Sequence, residues 1–329
     1  MKKHFLFIGF TIFTFVACNE ICTVPDEIVN LREEIIIERL EDQLFACQSV
    51  EEVLQFLANH QTLKVQFLGS EQYPNDTILA KSLLDRVNNP YIHTLKMDAE
   101  AEFGEMADLK LEFENAFAHI RKFDPTFKAP RIQTLITGFG SSEMIVSDSL
   151  IIIGIDYYIG PNATFRPNDF PEYILERFQK EYIVPAVVLI LSDKYIRSDY
   201  SDITMMADMI YYGKKYQFTK EMMPCTQDSL IIWYSGKQIE DVEDNKQLIW
   251  ANFLQNELLY ETNHLIKEKF LGERPNTYEI SAVCPGRIGA WVGWEIVRQY
   301  RMKFPEISLQ KFMEEPDAKK IFNESNYRG

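Results

Sequence analysis

The segment Pro285 to Tyr300, PGRIGAWVGWEIVRQY, constrains the fold more than any other. Gly286, Gly289, Ala290 and Gly293 recur at spacings of three and four, which on a helix leaves one face almost bare of side chains. Each helical glycine is unfavourable by about 1 kcal/mol relative to alanine, so such a face must be offset by a close backbone approach, and another helix is expected against it. The Gly289 to Gly293 spacing also matches a membrane dimer pattern, but Arg287, Glu295 and Arg298 exclude a lipid-buried helix. Trp291 and Trp294 are placed on the flanks.

A second segment, Asp202 to Tyr212 (DITMMADMIYY), is apolar on nearly every side and reads as a buried helix. Asp208 is the charge in its middle. A buried carboxylate needs a hydrogen-bond donor or a proton, and the plain reading is a structural aspartate paired with a tyrosine, the backbone or a lysine.

The chain opens with a secretory signal. Lys2 and Lys3 precede an apolar run from Phe5 to Val16, and Ala17 then leads to Cys18, as at the end of a bacterial lipoprotein signal. Cleavage before Cys18 and acylation of its thiol would tether the remaining chain to a membrane. Removing residues 1–17 with their two lysines takes the formal charge from −15 to about −17. That charge argues against nucleic acid or an anionic bilayer as a binding surface. Cys22, Cys47, Cys225 and Cys284 remain in an oxidising compartment, and the sequence does not choose among their three pairings.

Along the chain, Ile28, Leu31, Ile35, Leu40 and Leu44 follow a helical pattern, and residues 28–97 are expected to form an N-terminal helical region after a tether at 18–27. Residues 98–123 read as one long amphipathic helix that ends at Asp124 and Pro125. Arg131 to Thr137 and Leu150 to Tyr158 are β-branched runs, expected as a hairpin or as adjacent strands, with Gly138 to Ser142 (GFGSS) as a turn. Residues 247–271 read as a further long helix. The apolar run Ile183 to Leu191 contains Pro185 and is too short to span a bilayer.

These motifs carry a resemblance. The lipoprotein start, Ile155 to Asn162, ADMIYYGKKYQF, LIWANFLQNELLYETNHLIKEKFLGERPNTYEI and PGRIGAWVGWEIVRQY together resemble the gliding-motility lipoprotein GldB family of Bacteroidota. The resemblance is strongest from Asp148 to Tyr300. The C-terminal segments are also similar to predicted zinc peptidases of zincin type, which implies a degenerate zincin-like α+β domain over 98–329, predominantly helical, with a small sheet over the helix at 202–212.

A zincin holds its metal with two histidines at i and i+4 and activates water with the glutamate beside the first. Ala207, Asp208 and Tyr211 stand at those three places. Ala207 ligates nothing, Asp208 is one methylene shorter than glutamate, and Tyr211 is a poor zinc ligand. His60, His93, His119 and His264 include no i, i+4 pair, and His264 reads as solvent-facing or capping. No metal, cofactor or catalytic residue is therefore expected, and the helix reads as a vestigial active site. There is no Gly-x-Ser-x-Gly elbow, no P-loop and no Gly-x-Gly-x-x-Gly. Cys225 and Cys284 read as disulfide or buried thiols, and Glu240, Asp241, Glu314 and Glu315 as solvated surface.

Asp76-Thr77-Ile78, Asp148-Ser149-Leu150 and Asp228-Ser229-Leu230 look like the short O-glycosylation acceptor of exported Bacteroidota proteins, with Thr77, Ser149 and Ser229 as acceptors. The expected function is non-catalytic support of the gliding machinery, with a weaker link to type IX secretion. The expected partners are a membrane through the N-terminal lipid and envelope proteins of that machinery, with no nucleic acid, and the body is expected to face the periplasm. Two other classes compete. One is a peptidase with unconventional metal ligands; the other is a peptide- or glycan-binding lipoprotein with an aromatic cleft near Tyr157, Tyr158, Tyr211 and Tyr212.

Overall fold

The computed structural model describes residues 22–329. The signal and Cys18 lie outside the described residues. Two short sequences of helices flank one sheet. The first comprises α1 (Asp26–Val29), α2 (Leu40–Ala46), α3 (Val50–Asn59), α4 (Asp76–Val87), α5 (Pro90–Phe103) and α6 (Ala107–Phe123). The sheet consists of β1 (Ile37–Arg39), β2 (Arg131–Leu135), β3 (Met144–Val146) and β4 (Leu150–Gly154). After it come α7 (Glu172–Leu175), α8 (Ile183–Leu191), α9 (Met205–Met222), α10 (Asp228–Ile232), α11 (Gly236–Asp244) and α12 (Lys246–Gln255). The chain ends with α13 (His264–Leu271), α14 (Ile288–Lys303), α15 (Leu309–Glu314) and α16 (Ala318–Ser325). The described residues are α+β and mostly helical, 59% of them in helix.

The strand order is β1-β2-β4-β3, with β1, β2 and β4 parallel and β3 antiparallel to β4. The expected strands are thus neighbours, but not a hairpin. β3 fills part of the 138–149 connection and pairs with β4 from the other side, and Ile155–Tyr158 is a 3-10 turn, not strand. Strand periodicity sends alternate residues of β4 into two cores. Ile151 and Ile153 join the large core with α6, α8, α9 and α14, while Leu150 and Ile152 meet Leu40, Leu44, Phe56 and Leu63 of the N-terminal helices. A parallel strand covered on both sides needs a continuous apolar run, and LIII supplies it.

Four expectations on the elements require correction. The 28–44 helical pattern is interrupted by β1, whose Ile37 pairs with Ile132, so the N-terminal residues complete the sheet. The helix of 98–123 is two helices, broken by Gly104 at φ 49° and Met106 at φ 57°, and the expected 97/98 boundary falls inside α5. The helix of 247–271 breaks at Glu257, φ 52°, into α12 and α13. The sheet does not lie directly over α9, because α8 packs on both α9 and β3.

Candidate functional site

The centre of the C-terminal half is the pair α9 and α14. The two helices run parallel, since Met209 faces Gly293, Trp294 Nε1 donates to Gln217 Oε1 at 3.3 Å, and Arg301 Nε lies 3.3 Å from Glu221 Oε1. A Cβ on Gly293 would stand 1.9 Å from the Met209 carbonyl oxygen, and one on Gly213 would stand 2.4 Å from the Gly293 carbonyl oxygen. Backbone meets backbone there. The other two glycines face different neighbours: Gly289 meets Leu271 and Phe270 of α13, while Gly286 precedes the helix and abuts the Arg274 backbone. Trp291 and Trp294 are both buried.

Helix α9 starts three residues later than the apolar run and is longer than expected. Asp202 accepts from the Thr204 N–H and hydroxyl, and Thr204 Oγ1 in turn accepts from the Ala207 N–H at 3.3 Å, which caps the helix at Met205. The glycine face of α9 is closed against α14, and its opposite face lines a cleft. Two adjoining cavities, of about 570 and 340 Å³, share Asp208, Tyr211 and Lys267. Tyr200 and Ile203 stand at the rim, 91% and 59% exposed.

Asp208 is not buried. Its side chain is 40% exposed and its Oδ2 accepts from Lys267 Nζ at 2.5 Å, while the same ammonium donates to the Ile203 carbonyl at 2.9 Å. Tyr211 donates its hydroxyl to Asp193 Oδ1 at 2.6 Å, and Lys215 pairs with the same carboxylate at 2.9 Å. Burial first, and then the Asp193 hydrogen bond, raise the Tyr211 phenol above its ordinary range. Ala207 presents only a methyl group.

The buried charge of α9 is Lys214, which is 2% exposed. Its Nζ donates to the carbonyls of Arg197 and Met313 at 3.3 Å and of Glu315 at 2.5 Å, one acceptor for each proton. Burial lowers its pKa to about 8. The charge of Glu315 opposes that shift without outweighing it, and the three carbonyls offset the cost of desolvating the ammonium. Nothing in GKKYQ, which lies beyond the apolar run of 202–212, marks this lysine as buried.

A second cluster closes the cleft floor. Glu273 is gripped by Arg177 at 2.7 and 2.9 Å and lies 3.4 Å from Arg287 Nε. Burial alone raises the Glu273 carboxyl, but the hydrogen bonds from Arg177 and the charge of Arg287 outweigh it and hold the group below its usual range. Arg287 is itself buried, and its Nη2 donates to the Ile232 carbonyl at 2.6 Å.

At the C-terminal edge of the parallel strands, Asp156 is buried and its Oδ2 accepts the backbone N–H of Thr137 at 3.1 Å and of Phe139 at 2.9 Å. The acid thereby fixes the GFGSS turn. Burial raises its pKa to about 6. The tyrosines do not form one aromatic cleft. Tyr157 and Tyr158 pack with Phe178, and Tyr157 donates to the Phe139 and Ser141 carbonyls, whereas Tyr211 and Tyr212 line the α9 cleft.

The residues of the cleft do not fit zinc. Ala207 has no donor atom, Asp208 is held by an ammonium, and the described residues contain no group of three or more His, Cys, Asp or Glu placed to hold a metal ion. His264 is exposed at the first turn of α13. Cys22 and Cys225 form a disulfide, Cα to Cα 5.5 Å, while Cys47 and Cys284 are free. Burial pushes the Cys284 thiol up to about 12, away from the range of reactive thiolates. Thr77 and Ser149 are exposed, and Ser229 is half-buried in α10. Among the described residues no helix is long and apolar enough to cross a membrane.

No curated protein and no solved structure matches the chain. A family model does match, described as gliding motility protein GldB, and it covers residues 22–329, which include the sheet, both cores and the α9 cleft. The chain belongs to the GldB family of gliding motility proteins.

Proposed function

We propose that this protein is a non-catalytic, lipid-anchored component of the gliding machinery, facing the periplasm, which uses the cleft beside α9 to hold a segment of an envelope partner. Family membership supports the role in gliding. The observation that carries the non-catalytic part is the Asp208–Lys267 ion pair at 2.5 Å. A general base needs its carboxylate aimed at substrate or water, and here an ammonium takes it. Tyr211 is likewise tied to Asp193. The cleft is then a degenerate zincin site in which the Asp208–Lys267 and Tyr211–Asp193 pairs serve packing, and the rest of its lining serves recognition. A link to type IX secretion extends the same reading.

The test is deletion of the gene with colony spreading and secretion scored separately, followed by rescue with Asp208→Ala. Full rescue of spreading is expected. Loss of spreading with normal amounts of folded protein, or stoichiometric metal in protein purified without added metal, overturns the reading. Secretion that is normal in the deletion strain removes the type IX link alone.

A further inference from the structure

We propose that the Cys22–Cys225 disulfide makes the C-terminal end of the α9/α14 pair the membrane-proximal face of the body. The inference rests on acylation of Cys18 and adds what that reading leaves open, namely which surface meets the bilayer. Cys22 lies four residues beyond Cys18, a span of at most about 14 Å when fully extended. Cys22 is bonded to Cys225, three residues beyond the last residue of α9. The acyl chains are therefore held close to one end of the helix pair. Without the bond, the first fixed element would be α1 at Asp26, and eight residues would extend the reach to about 28 Å.

The surface at that end suits the role. Because α9 and α14 run parallel, residues 220–228 lie beside residues 298–303, as the contacts of Arg298 Nη2 with Asp228 Oδ2 at 2.5 Å and of Arg301 with Glu221 show. Met302, in the last turn of α14, is 74% exposed. The last turns carry Lys220, Arg301 and Lys303, a local cationic set on a chain of formal charge −15, although Asp228 and Glu221 pair with two of them. An apolar side chain beside lysine is a surface that tolerates lipid headgroups better than the acidic remainder. The rim of the cleft at Tyr200 and Ile203 lies at the opposite end of α9, an 18-residue helix about 27 Å long. The anchor end and the recognition end are thus separated by the length of one helix.

The experiment uses the full acylated chain in phosphatidylethanolamine and phosphatidylglycerol vesicles that contain a lipid with a nitroxide headgroup. A fluorescent non-canonical amino acid replaces either Met302 or Tyr200. Quenching at position 302 is expected to exceed that at 200 several-fold. Inserting eight glycine and serine residues between Glu20 and Ile21 leaves the disulfide intact and is expected to bring the ratio close to one, as is Cys22→Ser with Cys225→Ser. Equal quenching at both positions with the native tether, or a ratio unchanged by the insertion, overturns the proposal. Flotation separates the two readings: a chain that does not float with the vesicles sinks the anchor and this inference together, while a floating chain with equal quenching sinks this inference alone.

Discussion

The α9/α14 pair and the four-stranded sheet are packed by opposite means. The helices approach through glycine, so that Gly293 has no room for even a methyl group against the Met209 carbonyl. The sheet uses large aliphatic side chains, Ile151, Ile152 and Ile153, which meet other side chains on either face. Backbone-to-backbone packing fixes distance and register together and has no rotamer with which to adjust. Side-chain packing spreads a change over many neighbours. The lesson is that the first region specifies the geometry of the cleft on α9, and the second supplies burial that tolerates replacement.

The largest expected effect tests that difference directly. Gly293→Ala should destabilise the protein by about 4 kcal/mol, since the helices must separate and the gain in helix propensity of about 1 kcal/mol does not compensate. Chemical denaturation measures it, and a loss below about 1 kcal/mol, within reach of ordinary surface substitutions, would mean that the helices are free to slide.

Next in size are two buried charges, one in each region, whose pH dependences have opposite signs. Lys214 on α9 has its pKa lowered by burial to about 8 from 10.5. The folded state therefore binds fewer protons between those values, and stability should rise with pH from about 8 to 10.5, by roughly 3 kcal/mol in total. Asp156 below the sheet has its pKa raised to about 6 from 3.8, so the folded state binds more protons in that window. Its contribution is fully present below pH 3.8 and should be lost as pH rises through about 6, again by roughly 3 kcal/mol. Denaturation across pH for Lys214→Met and Asp156→Asn, each set against the parent, isolates the two slopes. If either variant keeps the parent's slope in its own window, burial does not control that group.

The smallest effect belongs to the sheet. Ile152→Val removes one methylene from the N-terminal core and should cost about 1 kcal/mol, with the same denaturation midpoint difference measured by fluorescence and by circular dichroism. A cost as large as that of Gly293→Ala would erase the contrast between the regions.

Much of this contrast was legible before folding. The glycine spacing in Pro285 to Tyr300 announced a close helix approach, and the β-branched run at Leu150 announced a strand beside that of Arg131 to Thr137. A lysine was among the partners foreseen for Asp208, although Lys267 itself was not picked out and the aspartate proved half-open. The breaks were less legible. Met106 and Glu257 adopt left-handed backbone without being glycine, and no local signal marks a non-glycine residue for that conformation. The three residues of β1 are too few to show a period of two against helical neighbours.

By itself the sequence determined the family, the helical majority, the close helix approach at Gly293 and the absence of paired histidines, because each is written in residue types at short spacing. Only the tertiary structure decided that Cys22 meets Cys225 across 203 residues, that Lys214 finds three carbonyls, and that Arg177 and Arg287 share Glu273. Those partners are distant along the chain. What joins them is the closing of two cores around the sheet, and no local pattern encodes which groups that closure brings face to face.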